Sequence, residues 1–142
     1  MSKVDFYVLK AGGEQARQQF ACRLAEKAYR LKNTVHIQAA TLQGADQLDE
    51  LLWTFRDGSF VPHEIINESG SQAVSPVTIG YEAEPPGDRD LLINLAESMP
   101  EDVASCSRVA EIVSADDDSK ANSRKRFVAY RDDGHTLETH KL

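Results

Sequence analysis

Cysteine is scarce: the chain holds two, Cys22 and Cys106, with no C-x-x-C spacing. Neither a disulfide nor a thiol redox motif is expected, and both residues read as small buried hydrophobes of a reducing compartment. No apolar run approaches the ~18 residues of a membrane span. The opening Met1-Ser2-Lys3-Val4-Asp5 passes straight into strand-like sequence, without the apolar core and cleavage site of a secretion signal. A cytoplasmic location and no membrane partner are therefore expected. Glycine fingerprints are missing too: neither G-x-G-x-x-G nor G-x-x-x-x-G-K-[ST] occurs, so no nucleotide cofactor is expected. His36, His63, His135 and His140 show no H-x-x-x-H or mixed Cys/His spacing, and no metal is expected. There is no G-x-S-x-G elbow. Adjacent carboxylates such as Asp49-Glu50 and Glu101-Asp102 read as solvated surface, because neighbouring positions on a helix do not face one another. No residue is assigned a catalytic role.

What is present suits a folded protein. With 41% hydrophobic and 27% charged residues the composition is close to the globular average, and 142 residues fit one domain, residues 1–142. The net charge of −7 is unevenly laid down. From Asp46 to Asp118 seventeen acidic residues face three basic ones, Arg56, Arg89 and Arg108. From Lys120 to Arg131 the sign reverses, with five basic residues and no acidic one. Dipole chemistry explains part of this, since carboxylates at a helix start and cations towards its end are each favoured by ~0.3–1 kcal/mol at exposed sites. The remainder points to an anion-binding face.

Hydrophobic periodicity gives the element order. Val4 to Leu9 is rich in β-branched and aromatic residues and precedes the turn Ala11-Gly12-Gly13, as a strand would. From Glu14 to Leu31, Ala16, Phe20, Leu24, Ala28 and Leu31 recur at helical spacing, with Arg17, Arg23, Lys27 and Arg30 on other faces. Thr34 to Ala39 is a second strand, and Gln43 to Phe55 a second helix with Leu48, Leu51, Leu52 and Phe55 on one stripe. Strands alternating with helices imply an α/β fold with a largely parallel, doubly wound sheet. Further strands are read at Val77–Gly80, Asp90–Leu95 and Val109–Ser114, with a last helix over Lys120–Arg131 and a candidate edge strand in the alternating His135–His140. The stretch Phe60-Val61-Pro62-His63 reads as irregular, and Lys10–Glu14 as a plain tight turn, because Glu14 stands where a phosphate would sit.

The most distinctive segment is Leu48-Asp49-Glu50-Leu51-Leu52-Trp53-Thr54-Phe55-Arg56-Asp57-Gly58-Ser59-Phe60-Val61-Pro62-His63. It resembles the chi subunits of bacterial DNA polymerase III, whose pattern is a leucine-aspartate-glutamate helix ending in Leu-Trp, a short polar loop, then Ser-Phe-[VIL]-Pro-His. The opening Phe6–Leu9, the helix carrying Cys22, the strand Asp90–Leu95 and the closing Arg124–Arg131 follow in the family's order. The resemblance covers nearly the whole chain. It implies a Rossmann-like α/β fold without a nucleotide site, no cofactor, and a non-catalytic accessory subunit in DNA replication. Such a subunit connects the clamp loader, through the psi subunit, to the acidic C-terminal tail of single-stranded-DNA-binding protein, and so meets DNA indirectly.

The resemblance also implies two sites. For psi they are Trp53, Phe60, Val61, Pro62 and His63, with Phe60 the anchor and Trp53 either joining the interface or filling the core beneath the loop. For the tail they are Val113, Arg124, Phe127, Val128 and Arg131. Arginine suits a terminal carboxylate through its two-pronged donor geometry. Val128 stands where better-known members carry a lysine, so it is expected to form only a wall of the slot, and either tail affinity is weaker or Lys125 or Arg126 supplies the charge instead. Tyr130 either joins this site or packs on the sheet. A competing reading is direct binding of single-stranded nucleic acid through the basic helix, opposed by the acidic middle and the lack of an aromatic stacking platform. A degenerate nucleotide enzyme would require a phosphate site that the glycines do not supply.

Overall fold

The structure, a computed structural model, describes residues 2–54, 61–66, 75–81, 89–96 and 106–142. Its elements in chain order are β1 (Lys3–Val8), α1 (Glu14–Arg30), β2 (Val35–Gln38), α2 (Leu42–Thr54), β3 (His63–Ile66), β4 (Val77–Gly80), β5 (Arg89–Asn94), β6 (Cys106–Val113), α3 (Asp117–Asp132) and β7 (Thr136–Lys141). The seven strands form one sheet in the order β3-β4-β2-β5-β6-β1-β7, and every pairing is parallel. Right-handed crossovers then fix the layers. The steps β1→β2 and β2→β3 run one way along the sheet and set α1 and α2 side by side on one face. The step β6→β7 runs the other way and sets α3 on the opposite face.

Each face has its own core. Ala21, Cys22 and Ala25 of α1 and Leu48 and Leu52 of α2 pack on Val35, Ile37, Ile79, Ile93 and Ile112. Val4, Phe6, Leu92, Val109, Val113 and Tyr130 pack beneath α3. Cys22 belongs to the first core and Cys106 to the second, so the sheet separates two free thiols; burial pushes the Cys22 thiol up to about 12.

The expected strands and helices are present with shifted ends, and His135–His140 corresponds to the edge strand β7. One element was missed: His63–Ile66 is a strand. The inner face of α1 also differs from the expected stripe. Its buried positions are Arg17, Gln18, Ala21, Cys22, Ala25, Glu26 and Ala28, while Phe20 and Leu24 lie at the core margin and Leu31 is exposed. Small side chains there let the helix axis approach the sheet closely. Phe55 lies outside the described residues.

Candidate functional site

In an open parallel sheet, ligands bind at the carboxyl ends of the strands where successive crossovers diverge. Here that point lies between β1 and β6, whose connections leave to opposite faces. The gap is closed by the chain itself. Leu9 N–H donates to the Val113 carbonyl at 2.8 Å, and Ala115 N–H to the Ala11 carbonyl at 2.9 Å. Asp116 Oδ2 accepts from the Gly13 amide at 2.9 Å and from Ser114 Oγ at 2.9 Å. A carboxylate thus occupies the start of α1, where the helix dipole favours negative charge. The Gly13 amide, and then Ser114, hold the Asp116 carboxyl below the usual range. Gly12 permits the contact, since a Cβ there would stand 2.6 Å from Asp116 Oδ1.

Arg17 seals the same rim. Expected on an outer face of α1, it is buried instead, and its guanidinium donates to the carbonyls of Ile112 and Leu95 at 2.9 Å each and to Glu14 at 2.6 Å. The glycine pair therefore serves a self-capped turn.

A second locality lies at the end of α2 and the start of β3. The helix begins on Thr41, whose Oγ1 accepts the Gly44 amide at 2.8 Å, and buries Gly44, Ala45, Leu48 and Leu52. That spacing turns Trp53 outwards; it is 53% exposed. Its ring rests against His63, with centroids 4.6 Å apart. The His63 side chain is itself fully buried. Its Nδ1 faces the Val61 carbonyl at 2.6 Å and its Nε2 faces the Asp49 carboxylate at 3.0 Å, so the imidazole ties α2 to the strand entry. Val61 is buried and Pro62 half-buried. Trp53 is thus the solvent-facing member of this group, and His63 supports it from below.

The third locality is α3. Arg126 and Tyr130, one turn apart, are its buried residues, and both reach Glu111 on β6. Arg126 Nε donates to Glu111 Oε1 at 2.9 Å; Tyr130 Oη and Asn94 Nδ2 donate to Oε2 at 2.7 and 2.9 Å. Burial pushes the Glu111 carboxyl up, against the Arg126 charge and the bonds from Tyr130 and Asn94 that favour the carboxylate. Two residues from either buried position, about 200° around the helix, stand Arg124 and Val128. Arg131 continues the same stripe, and all three are exposed.

The family model described as DNA polymerase III chi subunit, HolC, matches residues 1–138. The chain belongs to the DNA polymerase III chi subunit family. Three curated relatives are named DNA polymerase III subunit chi. That of Pseudomonas aeruginosa is 43% identical over 143 residues, covering 100% of this chain and 98% of its own. That of Escherichia coli is 32% identical, covering 98% and 97%, and that of Haemophilus influenzae 30% identical, covering 97% and 96%.

Against the positions expected for a chi subunit, the structure divides the tail set. Arg124, Val128 and Arg131 share the outward stripe. Phe127 is half-buried, its ring 5.4 Å from that of Phe6, and Val113 is buried in the core beneath α3. Tyr130 packs on the sheet. Arg126 cannot supply the missing surface charge, because it is buried on Glu111; Lys125 remains exposed. Of the psi set, Phe60 lies outside the described residues. Sequence reading missed Glu111, Asp116 and Arg17. The one hint was Glu111, a charged residue inside the apolar run Val109–Val113.

One further polar group stands on the α1 side of the sheet. Ligand atoms of Asp5, Glu138 and His140 lie within 4.8 Å of one another. Lys3 Nζ stands 3.1 Å from Glu138, and Arg108 donates to Asp5 at 2.8 Å, so cations of the chain already neutralise it. Among the described residues no helix is long and apolar enough to cross a membrane.

Proposed function

We propose that this chi-family chain is a non-catalytic adaptor of the DNA polymerase III holoenzyme. One surface docks the psi subunit of the clamp-loader complex, and another reads the acidic C-terminal tail of single-stranded-DNA-binding protein. The observation that carries the reading is the outward stripe Arg124–Val128–Arg131, two guanidinium groups flanking an apolar side chain that is 42% exposed. That order suits a peptide with carboxylates beside a terminal apolar residue. The psi surface is assigned to Trp53, held by His63, together with Pro62 and Phe60, while the buried Val61 contributes from the core. A large exposed aromatic braced from beneath is suited to anchor an interface.

Direct binding of single-stranded nucleic acid gains less support. Removing Arg126 from the surface leaves fewer cations for phosphates. Calorimetric titration with an acidic peptide ending in Asp-Asp-Ile-Pro-Phe, beside the same peptide without its Phe, tests the adaptor reading. The full peptide alone should bind. Arg124→Glu should weaken that binding by about tenfold or more and leave psi binding intact, while Trp53→Ala and Phe60→Ala should do the reverse. Binding of an oligonucleotide in preference to the peptide would transfer the face to the nucleic-acid reading.

A further inference from the structure

The sequence of α3 provides little to hold it down. Its large apolar side chains are Phe127, Val128 and Tyr130, and Val128 faces solvent. The helix is buried through Arg126 and Tyr130, and the polar ends of both converge on one carboxylate that is 0% exposed. Apolar contact is non-directional and tolerates a helix that rolls or slides. Three hydrogen bonds to two oxygens do not, because each loses strength steeply with angle. Donors from α3 and from β5 share this acceptor, so the helix is referenced to two strands at once. A roll of one position, about 100°, would carry Arg124 and Val128 off the outward stripe.

We propose that Glu111 is a positioning residue for peptide recognition. It fixes the rotation and height of α3 on the sheet and thereby aims the Arg124–Val128–Arg131 stripe at an acidic peptide. The proposal rests on the tail-reading function of that face. A buried ion pair replaced by apolar residues of similar volume commonly keeps or gains stability, whereas the orientation it enforces need not survive. Psi binding, at the opposite margin of the sheet, separates positioning from general destabilisation.

The test is Glu111→Met combined with Arg126→Met, followed by thermal unfolding, hydrogen exchange of the α3 amides, and titration with the Asp-Asp-Ile-Pro-Phe peptide. The double variant also takes the Glu111 acceptor from Tyr130 and Asn94, so it should melt below the parent chain while staying folded. Its α3 amides should exchange about tenfold faster, and its peptide affinity should fall about tenfold, with psi binding unchanged. Parental affinity in a folded double variant overturns the proposal, whether or not exchange rises. If the double variant does not fold, Tyr130→Phe removes one donor only. It should show the same two changes at about threefold, and their absence overturns the proposal. Failure of the unaltered chain to bind the peptide would remove the tail-reading function, and parental α3 exchange in the variants would then overturn the positioning role separately.

Discussion

Asp116 does for α1 what a bound phosphate does at a helix start in nucleotide-binding proteins with parallel α/β sheets, and its titration should be visible in stability. Its carboxyl is held below the usual value by the Gly13 amide first and by Ser114. A group depressed in the folded state contributes stability that is fully present above its unfolded value of about 3.9 and is lost as pH falls through the folded value. Asp116→Asn should therefore lower the urea midpoint at neutral pH and flatten its decline on the acid side; an unchanged acid limb would show that Asp116 contributes nothing there. This contact was not legible in the sequence. Gly12-Gly13 read as a tight turn, but the partner lies 103 residues away, and nothing in local composition indicates it. Arg17 is the same case: amphipathic spacing assigns an arginine to an outer face, and only the fold reveals two strand-end carbonyls that require a donor.

Elements were legible where periodicity was strong and local. The strands containing Val35–Gln38, Val77–Gly80 and Leu91–Asn94 announce themselves as β-branched and leucine-rich runs, and the alternation of strand and helix was enough to infer a parallel sheet. β3 escaped because it has four residues, follows Pro62 and includes the polar Glu64. Its strand character comes from pairing with β4 rather than from propensity. α1 misled in a different way. Larger side chains drew the stripe towards Phe20 and Leu24, whereas the close face is alanine and cysteine. Ala25 is 0% exposed, so Ala25→Leu should overpack that contact and cost about 1–3 kcal/mol in urea unfolding; a neutral substitution would mean that α1 stands further from the sheet.

For the whole molecule, the family resemblance was readable because it is carried by order along the chain. The layering of the two candidate surfaces was not, because it follows from strand order and crossover direction. Trp53 stands in the last turn of α2, next to β3 at one margin of the sheet, while α3 packs on β6 and β7 towards the other. Sites at opposite margins of the sheet should act independently. Combining Trp53→Ala with Arg124→Glu should give psi and peptide binding losses equal to those of the single variants, within about 0.5 kcal/mol. Coupling beyond that would show that the two faces communicate through the sheet.

The strand order also has a mechanical meaning. Five strand intervals separate β3 from β1, about 24 Å at the usual spacing. An adaptor gripped near β3 and at α3 would carry tension across the strands, so the pull would fall along the interstrand hydrogen bonds. Strength under load would then be set by the weakest lateral seam. The four-residue registers of β3 with β4, of β4 with β2 and of β2 with β5 mark that weak side, and the side gripped near β3 should part before the side beneath α3.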